Sequence, residues 1–155
     1  MERILYGKPI AEELDANSKL VFTNYENDND RKPKLTAITV GDNPASLLYV
    51  SRKEEKAIEL GVEFNWIKLN KATSQKDLEE KVELSAKDSD GIIIQLPLPE
   101  HINPEEAINK IPYNLDVDGL TALNLGNLYS EEYKIIPATS LAILEMIKFY
   151  KIDTT

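Results

Sequence analysis

The sequence predicts an α/β fold, a three-layer α/β/α sandwich around a mainly parallel sheet, and three observations carry that expectation. Apolar stretches at Leu35–Val40, Val62–Leu69 and Gly91–Leu96 have strand length and alternate with segments of helical periodicity. The order strand, helix, strand, helix, strand calls for right-handed crossovers and therefore parallel strands. The run Ile92-Ile93-Ile94 is apolar enough to be covered on both faces.

Each element follows from local chemistry. Lys8 to Asn27 carries Ile10, Leu14, Val21, Phe22 and Tyr25 at the spacing of an amphipathic helix, and the polar stretch Asn27 to Pro33 reads as a loop. After the first strand, Gly41-Asp42 breaks the extended chain. Asn43 can cap the next helix, and Pro44 suits its first position because the donor it lacks would have gone unpaired there. That helix runs to Leu60, where Gly61 can stop it in the left-handed conformation. Beyond the second strand, Ser74 with Asp77 three residues on marks the start of a helix reaching about Lys87.

Pro97-Leu98-Pro99 turns the chain away at the carboxyl end of the third strand. Asn103-Pro104-Glu105-Glu106 begins a short helix ending near Ile111-Pro112. Asp116-Val117-Asp118-Gly119 reads as a turn and Thr121 to Tyr129 as a short helical segment. Ile135-Ile136-Pro137 is extended, and Thr139 or Ser140 starts a last helix through Tyr150.

Composition narrows the function. With no cysteine, disulfides, thiolate metal sites and a cysteine nucleophile are excluded. A net charge of −9, with lysines scattered among acids, argues against non-specific nucleic-acid binding. No apolar run approaches the roughly 20 residues of a membrane span, and Met1-Glu2-Arg3-Ile4 lacks a leader's apolar stretch, so a cytoplasmic location is expected. The pattern Asn114, Asp116, Asp118, Gly119 opens like a calcium loop, but the position needing a bidentate acid is Leu125, so no metal is expected. The six glycines contain no G-x-G-x-x-G, so a dinucleotide fingerprint is missing.

The chemistry is expected where three segments converge: the start of the second helix, the end of the third strand and the loop around Asp118. Tyr49 and Lys53, four residues apart, share a helix face about a turn past the strand end, where ligands enter open α/β sheets. A lysine amine among apolar groups can exchange protons near neutrality, and Gln95 can orient it by hydrogen bonding. Tyr49 offers a flat face to an aromatic ligand, and Asp118 can accept hydrogen bonds from a ring amine and a ring N–H. The same residues also admit plainer roles: a surface Tyr–Lys pair, a satisfied strand-end amide and a turn former. His101 is read as structural, bonded to the backbone.

Three ordered motifs then resemble one family. They are Val40 to Ser46 with Tyr49 and Lys53; Gly91 to Pro99 with His101-Ile102; and Asp116 to Gly119 with Asn124 and Gly126. In order and spacing they are similar to the signatures of the methylenetetrahydrofolate dehydrogenase/cyclohydrolase family, across essentially the whole chain. The resemblance implies an amino-acid-dehydrogenase-like amino-terminal domain and two coupled reactions. One is oxidation of 5,10-methylenetetrahydrofolate by NADP or NAD, and the other is hydrolysis of the methenyl product to 10-formyltetrahydrofolate.

It implies Lys53 as the catalytic lysine, held by Gln95 with Tyr49 beside it. It also implies a substrate site of Tyr49, Asp118, Gln95, Leu96 and Pro97, and a homodimeric parent. Residues 1–138 would form the folate-binding domain. Residues 139–155 would lead towards a Rossmann-type domain that binds the dinucleotide, so this chain alone is expected to lack dehydrogenase activity. Two departures stand out: Leu115 where the family usually has lysine, and Pro137-Ala138-Thr139-Ser140-Leu141-Ala142 where it has Pro-Cys-Thr-Pro and a following glycine. The second class of reading is a folate-binding or regulatory module without turnover, partnering a separate dinucleotide-binding chain.

Overall fold

The structure, a computed structural model, describes residues 4–154; Met1-Glu2-Arg3 and Thr155, which figure in the terminal expectations above, lie outside the described residues. The elements are α1 (Lys8–Asn29), β1 (Lys34–Val40), α2 (Pro44–Glu59), β2 (Glu63–Leu69), α3 (Gln75–Ser85), β3 (Gly91–Ile94), α4 (Pro104–Ile108), α5 (Ala122–Tyr129) and α6 (Ala138–Phe149). The sheet has the order β2-β1-β3 and both ladders are parallel, with Ala37 beside Trp66 on one side and Ile93 on the other.

Side chains alternate across the sheet, and this builds the three layers. Ile38, Val40, Ile92 and Ile94 point to one face, where Leu78 and Val82 of α3 and Ala107 and Ile108 of α4 cover them. Ala37 and Ile93 point to the other, under Val50 of α2, with Leu35, Phe64 and Trp66 packed alongside. Leu78 and Val82 are fully buried, each contributing about 1.5–3 kcal/mol relative to exposure.

Three predicted caps are formed. Asn43 Oδ1 accepts from the Ala45 and Ser46 amides at 3.0 and 3.1 Å, and Ser74 Oγ accepts from the Asp77 amide at 3.2 Å. Asn103 Oδ1 accepts from the Glu105 and Glu106 amides. Gly61 stops α2 with φ +86°, as expected.

Other boundaries differ from expectation. The Asn-rich stretch read as loop continues α1 to Asn29, whose side-chain amide donates back to the Tyr25 carbonyl; Asp30 ends the helix in the left-handed region. β3 stops at Ile94 rather than Leu96, although the Gln95 amide still donates to the Ile38 carbonyl at 2.9 Å. α4 ends at Ile108, and the way on to Ile111 is made of turns closed by the Lys110 and Ile111 amides. α6 begins at Ala138 without a side-chain cap, because Pro137 occupies the cap position and Thr139 and Ser140 fall inside the first turn.

Asp90 ties the amino-terminal half together. Its carboxylate accepts from both terminal nitrogens of Arg31 at 2.7 and 2.8 Å, from the Lys34 amide and from the Tyr25 hydroxyl. The Arg31 hydrogen bonds hold this carboxyl well below the usual range against the opposing effect of burial, and the hydroxyl bond to Asp90 raises Tyr25. At the other end of the chain, the Tyr150 hydroxyl accepts from the Tyr6 amide and donates to the Tyr6 carbonyl, joining the segment before α1 to the end of α6.

Candidate active site

Parallel pairing and strand periodicity decide which side chains can meet. Gly91, Ile93 and Gln95 are two apart, so they share the face covered by α2. The Asn43 cap fixes the start of α2 just past β1, and Lys53 then lies over the end of β3. Its Nζ donates to Gln95 Oε1 at 3.3 Å. Gln95 Nε2 donates in turn to the Leu96 carbonyl at 2.8 Å, and Ser46 Oγ from the first turn of α2 reaches the same oxygen at 3.4 Å. The amide is therefore fixed at both ends, with its carbonyl turned to the amine.

Asp118 approaches from a third segment, its Oδ2 lying 4.0 Å from Lys53 Nζ. Asp116, 1% exposed, forms a parallel bridge to Ile92, and its Oδ2 accepts from the Thr121 amide at 2.8 Å and from Asn124 Nδ2 at 2.9 Å. Burial pushes this carboxyl up, but the Thr121 and Asn124 hydrogen bonds outweigh it and hold the group below its ordinary value. Gly119 is needed for two reasons: its φ is +68°, and a Cβ there would stand 3.1 Å from the Pro137 nitrogen.

The amine opens onto a groove of about 560 Å³ between α1, α2 and the sheet, with Phe22, Leu35, Gly91 and Val117 among its lining. Tyr49, 59% exposed, lines the same groove as Lys53. Of the residues singled out by sequence, Lys53, Gln95 and Asp118 meet directly, Leu96 joins through Gln95, and Tyr49 stands at the groove. Pro97 is joined to Leu96 by a cis peptide bond and adds no hydrogen bond to the group. His101 lies apart, its Nε2 2.9 Å from the Thr73 carbonyl.

Sequence reading saw Asp116 only as a turn residue and an incomplete calcium ligand, whereas its carboxylate points inward and holds the Asp118 loop in place. The usable signal was Thr121, a helix cap whose third following residue is an amide. Arg52, which lines the groove between Tyr49 and Lys53 in sequence, was also missed.

A primary amine aimed by a carbonyl and flanked by a carboxylate can hold or release a proton at one defined point, while the tyrosine ring can take an aryl group. No group of three or more His, Cys, Asp or Glu able to hold a metal ion occurs among the described residues. The amino end of α2, after β1, is closed by the Asn43 side chain on the Ala45 and Ser46 amides, so those two amides are not free for a pyrophosphate.

Residues 5–118 match the family described as tetrahydrofolate dehydrogenase/cyclohydrolase, catalytic domain. The bifunctional protein FolD of Streptococcus uberis is 36% identical over 155 residues, covering 99% of this chain and 55% of the relative. The chain thus spans about half the length of the curated relatives it matches. Among solved structures, a 5,10-methylenetetrahydrofolate dehydrogenase from the silkworm Bombyx mori superimposes with a TM-score of 0.93 at 35% identity, over 99% of this chain and 54% of that one. The bifunctional FolD of Campylobacter jejuni gives 0.91 at 30%, over 97% and 54%. The Trypanosoma brucei enzyme, solved with NADP and an inhibitor, gives 0.89 at 27%, over 98% and 53%. Match, fold and motif order agree, and the chain belongs to the tetrahydrofolate dehydrogenase/cyclohydrolase family.

Proposed function

We propose that this chain is the folate-binding catalytic part of a bifunctional enzyme. The enzyme oxidises 5,10-methylenetetrahydrofolate to 5,10-methenyltetrahydrofolate with NAD or NADP and hydrolyses the product to 10-formyltetrahydrofolate. The observation that carries the proposal is the meeting of Lys53 with Gln95 and with Asp118, at an amine that shares one groove with Tyr49. In this reading the Tyr49 ring stacks on the aminobenzoyl ring of the substrate, and Asp118 accepts hydrogen bonds from the pterin. Leu96 and Pro97 shape the turn beneath it. Lys53, held by Gln95, moves the proton of the water that attacks the methenyl carbon.

The dinucleotide accepts hydride when bound and belongs to a part of the parent outside these residues. Residues 1–138 are then the folate domain, and residues 139–155 begin the connection, in keeping with an α6 none of whose side chains is fully buried among the described residues.

The test is hydrolysis of 5,10-methenyltetrahydrofolate by this chain without dinucleotide, read against buffer and against Lys53→Met. A rate above buffer that falls by at least about 100-fold in the variant is expected, the usual scale for a positioned proton-transfer group. A rate above buffer that Lys53→Met leaves unchanged would overturn the assignment of the amine.

A further inference from the structure

Four cationic side chains border the groove, and three of them are already engaged. Lys34 Nζ sits 2.6 Å from Asp88 and 3.3 Å from Glu63, Lys56 Nζ sits 2.8 Å from both Asp15 and Glu59, and Lys53 faces Gln95 and Asp118. Arg52 is exposed and has no hydrogen-bond or ion-pair partner among the described residues. Asp90, which lines the same groove, does not compete for it, being taken by Arg31. In a chain of 27 acidic and 18 basic residues, an uncommitted guanidinium beside an apolar groove marks where an anionic group can be received.

Helix geometry places that guanidinium relative to the stacked ring. Counting from Tyr49, Lys53 is rotated about 40° to one side of the tyrosine row and Arg52 about 60° to the other. An aryl group lying on Tyr49 with its nitrogen end towards Lys53 therefore has its opposite end towards Arg52. In a tetrahydrofolate that opposite end is the carboxamide of a glutamyl group, which carries carboxylates. The nearby walls, Phe22, Leu35, Ala57 and Leu60, offer those carboxylates no hydrogen-bonding side chain.

Resting on the folate reading above, we propose that Arg52 binds a glutamyl carboxylate of the substrate and so distinguishes folates that carry the glutamyl group from pteroyl compounds that lack it. The experiment is calorimetric titration of the full chain, and of Arg52→Gln and Arg52→Lys, with two stable probes: 5-formyltetrahydrofolate and the primary amide of 5-formyltetrahydropteroic acid, which keeps the carboxamide and carries no carboxylate. Fluorescence of Trp66, the single tryptophan, reports that each variant is folded.

Arg52→Gln should weaken binding of the glutamyl probe about fivefold, the scale of an exposed ion pair, with the loss confined to that probe and Arg52→Lys recovering part of it. Equal affinity of parent and Arg52→Gln for 5-formyltetrahydrofolate would overturn the role of Arg52 while leaving the folate reading intact. So would an equal loss for both probes. Failure of the parent chain to bind either probe would overturn the folate reading, and this inference would fall with it.

Discussion

Replacing Asp116 by alanine is expected to cost about 3 kcal/mol of folding stability, and the figure can be built from its partners. Its Oδ2 is shared by the Thr121 amide and one hydrogen of Asn124 Nδ2, whose nitrogen also donates to the Tyr113 carbonyl at 2.8 Å. The substitution therefore orphans two buried donors. Each costs about 1–3 kcal/mol when no acceptor replaces the lost one, and water entering the emptied space trims the upper end of the sum. Asp116→Asn is the control: its one amide oxygen can take the place of Oδ2 and keep both bonds, leaving a loss of about 1 kcal/mol from the missing charge.

Urea unfolding followed by the fluorescence of Trp66 measures both. The indole is part-buried on β2 and donates to Thr39 Oγ1 at 3.1 Å, so unfolding exposes it. Equal midpoints for the alanine and asparagine variants, or an alanine variant within about 0.5 kcal/mol of the parent, would refute the argument that this carboxylate pins the loop.

Two further outcomes follow from packing and charge. Asp90 has a folded-state pKa lowered chiefly by Arg31, so its contribution is complete above the unfolded carboxyl value near about 4 and is lost as pH falls through the folded value. Asp90→Asn should thus cost about 1–2 kcal/mol at pH 7 and flatten the acid limb of the stability curve below about pH 5; an unchanged acid limb would contradict the network. Gly91→Ala would put a Cβ 2.6 Å from Val117 Cγ1 and 3.3 Å from Leu35 Cδ1, an overpacking cost of about 1–3 kcal/mol. Adding Val117→Ala should recover most of that loss, and strict additivity of the two changes would argue against the clash.

The fold was legible wherever one local rule acted without a competitor. Asn43-Pro44, Ser74 with Asp77, and Asn103-Pro104 each supply an acceptor before a helix, and all three cap as read. Pro137-Ala138-Thr139-Ser140 was harder, because two hydroxyl residues of cap type lie behind a proline that takes the cap position itself. Asn27 to Asn29 misled for the opposite reason, since a side chain that favours turns here bonds back to the preceding helical turn and extends it.

In the candidate site, Lys53, Gln95 and Asp118 could be grouped from motif positions, but the reason they meet is register: a one-residue shift of β3 would have turned Gln95 to the α3 face. Asp116 escaped notice because burial, which sequence does not show, is what turns a turn residue into an internal anchor.

The bridge between Ile92 and Asp116, with the Ile92 amide donating to the Leu115 carbonyl at 2.7 Å, has a consequence for association. An outer strand presents unpaired backbone groups that invite pairing with another chain. Here the loop that carries Asp118 to Lys53 also occupies that side of β3. On the far side of the sheet, β2 is guarded by the charges of Glu63 and Lys68, the latter lying over the Trp66 ring. The segment that assembles the site thus also shields a strand border, and loosening it would bare backbone groups that invite pairing with another chain.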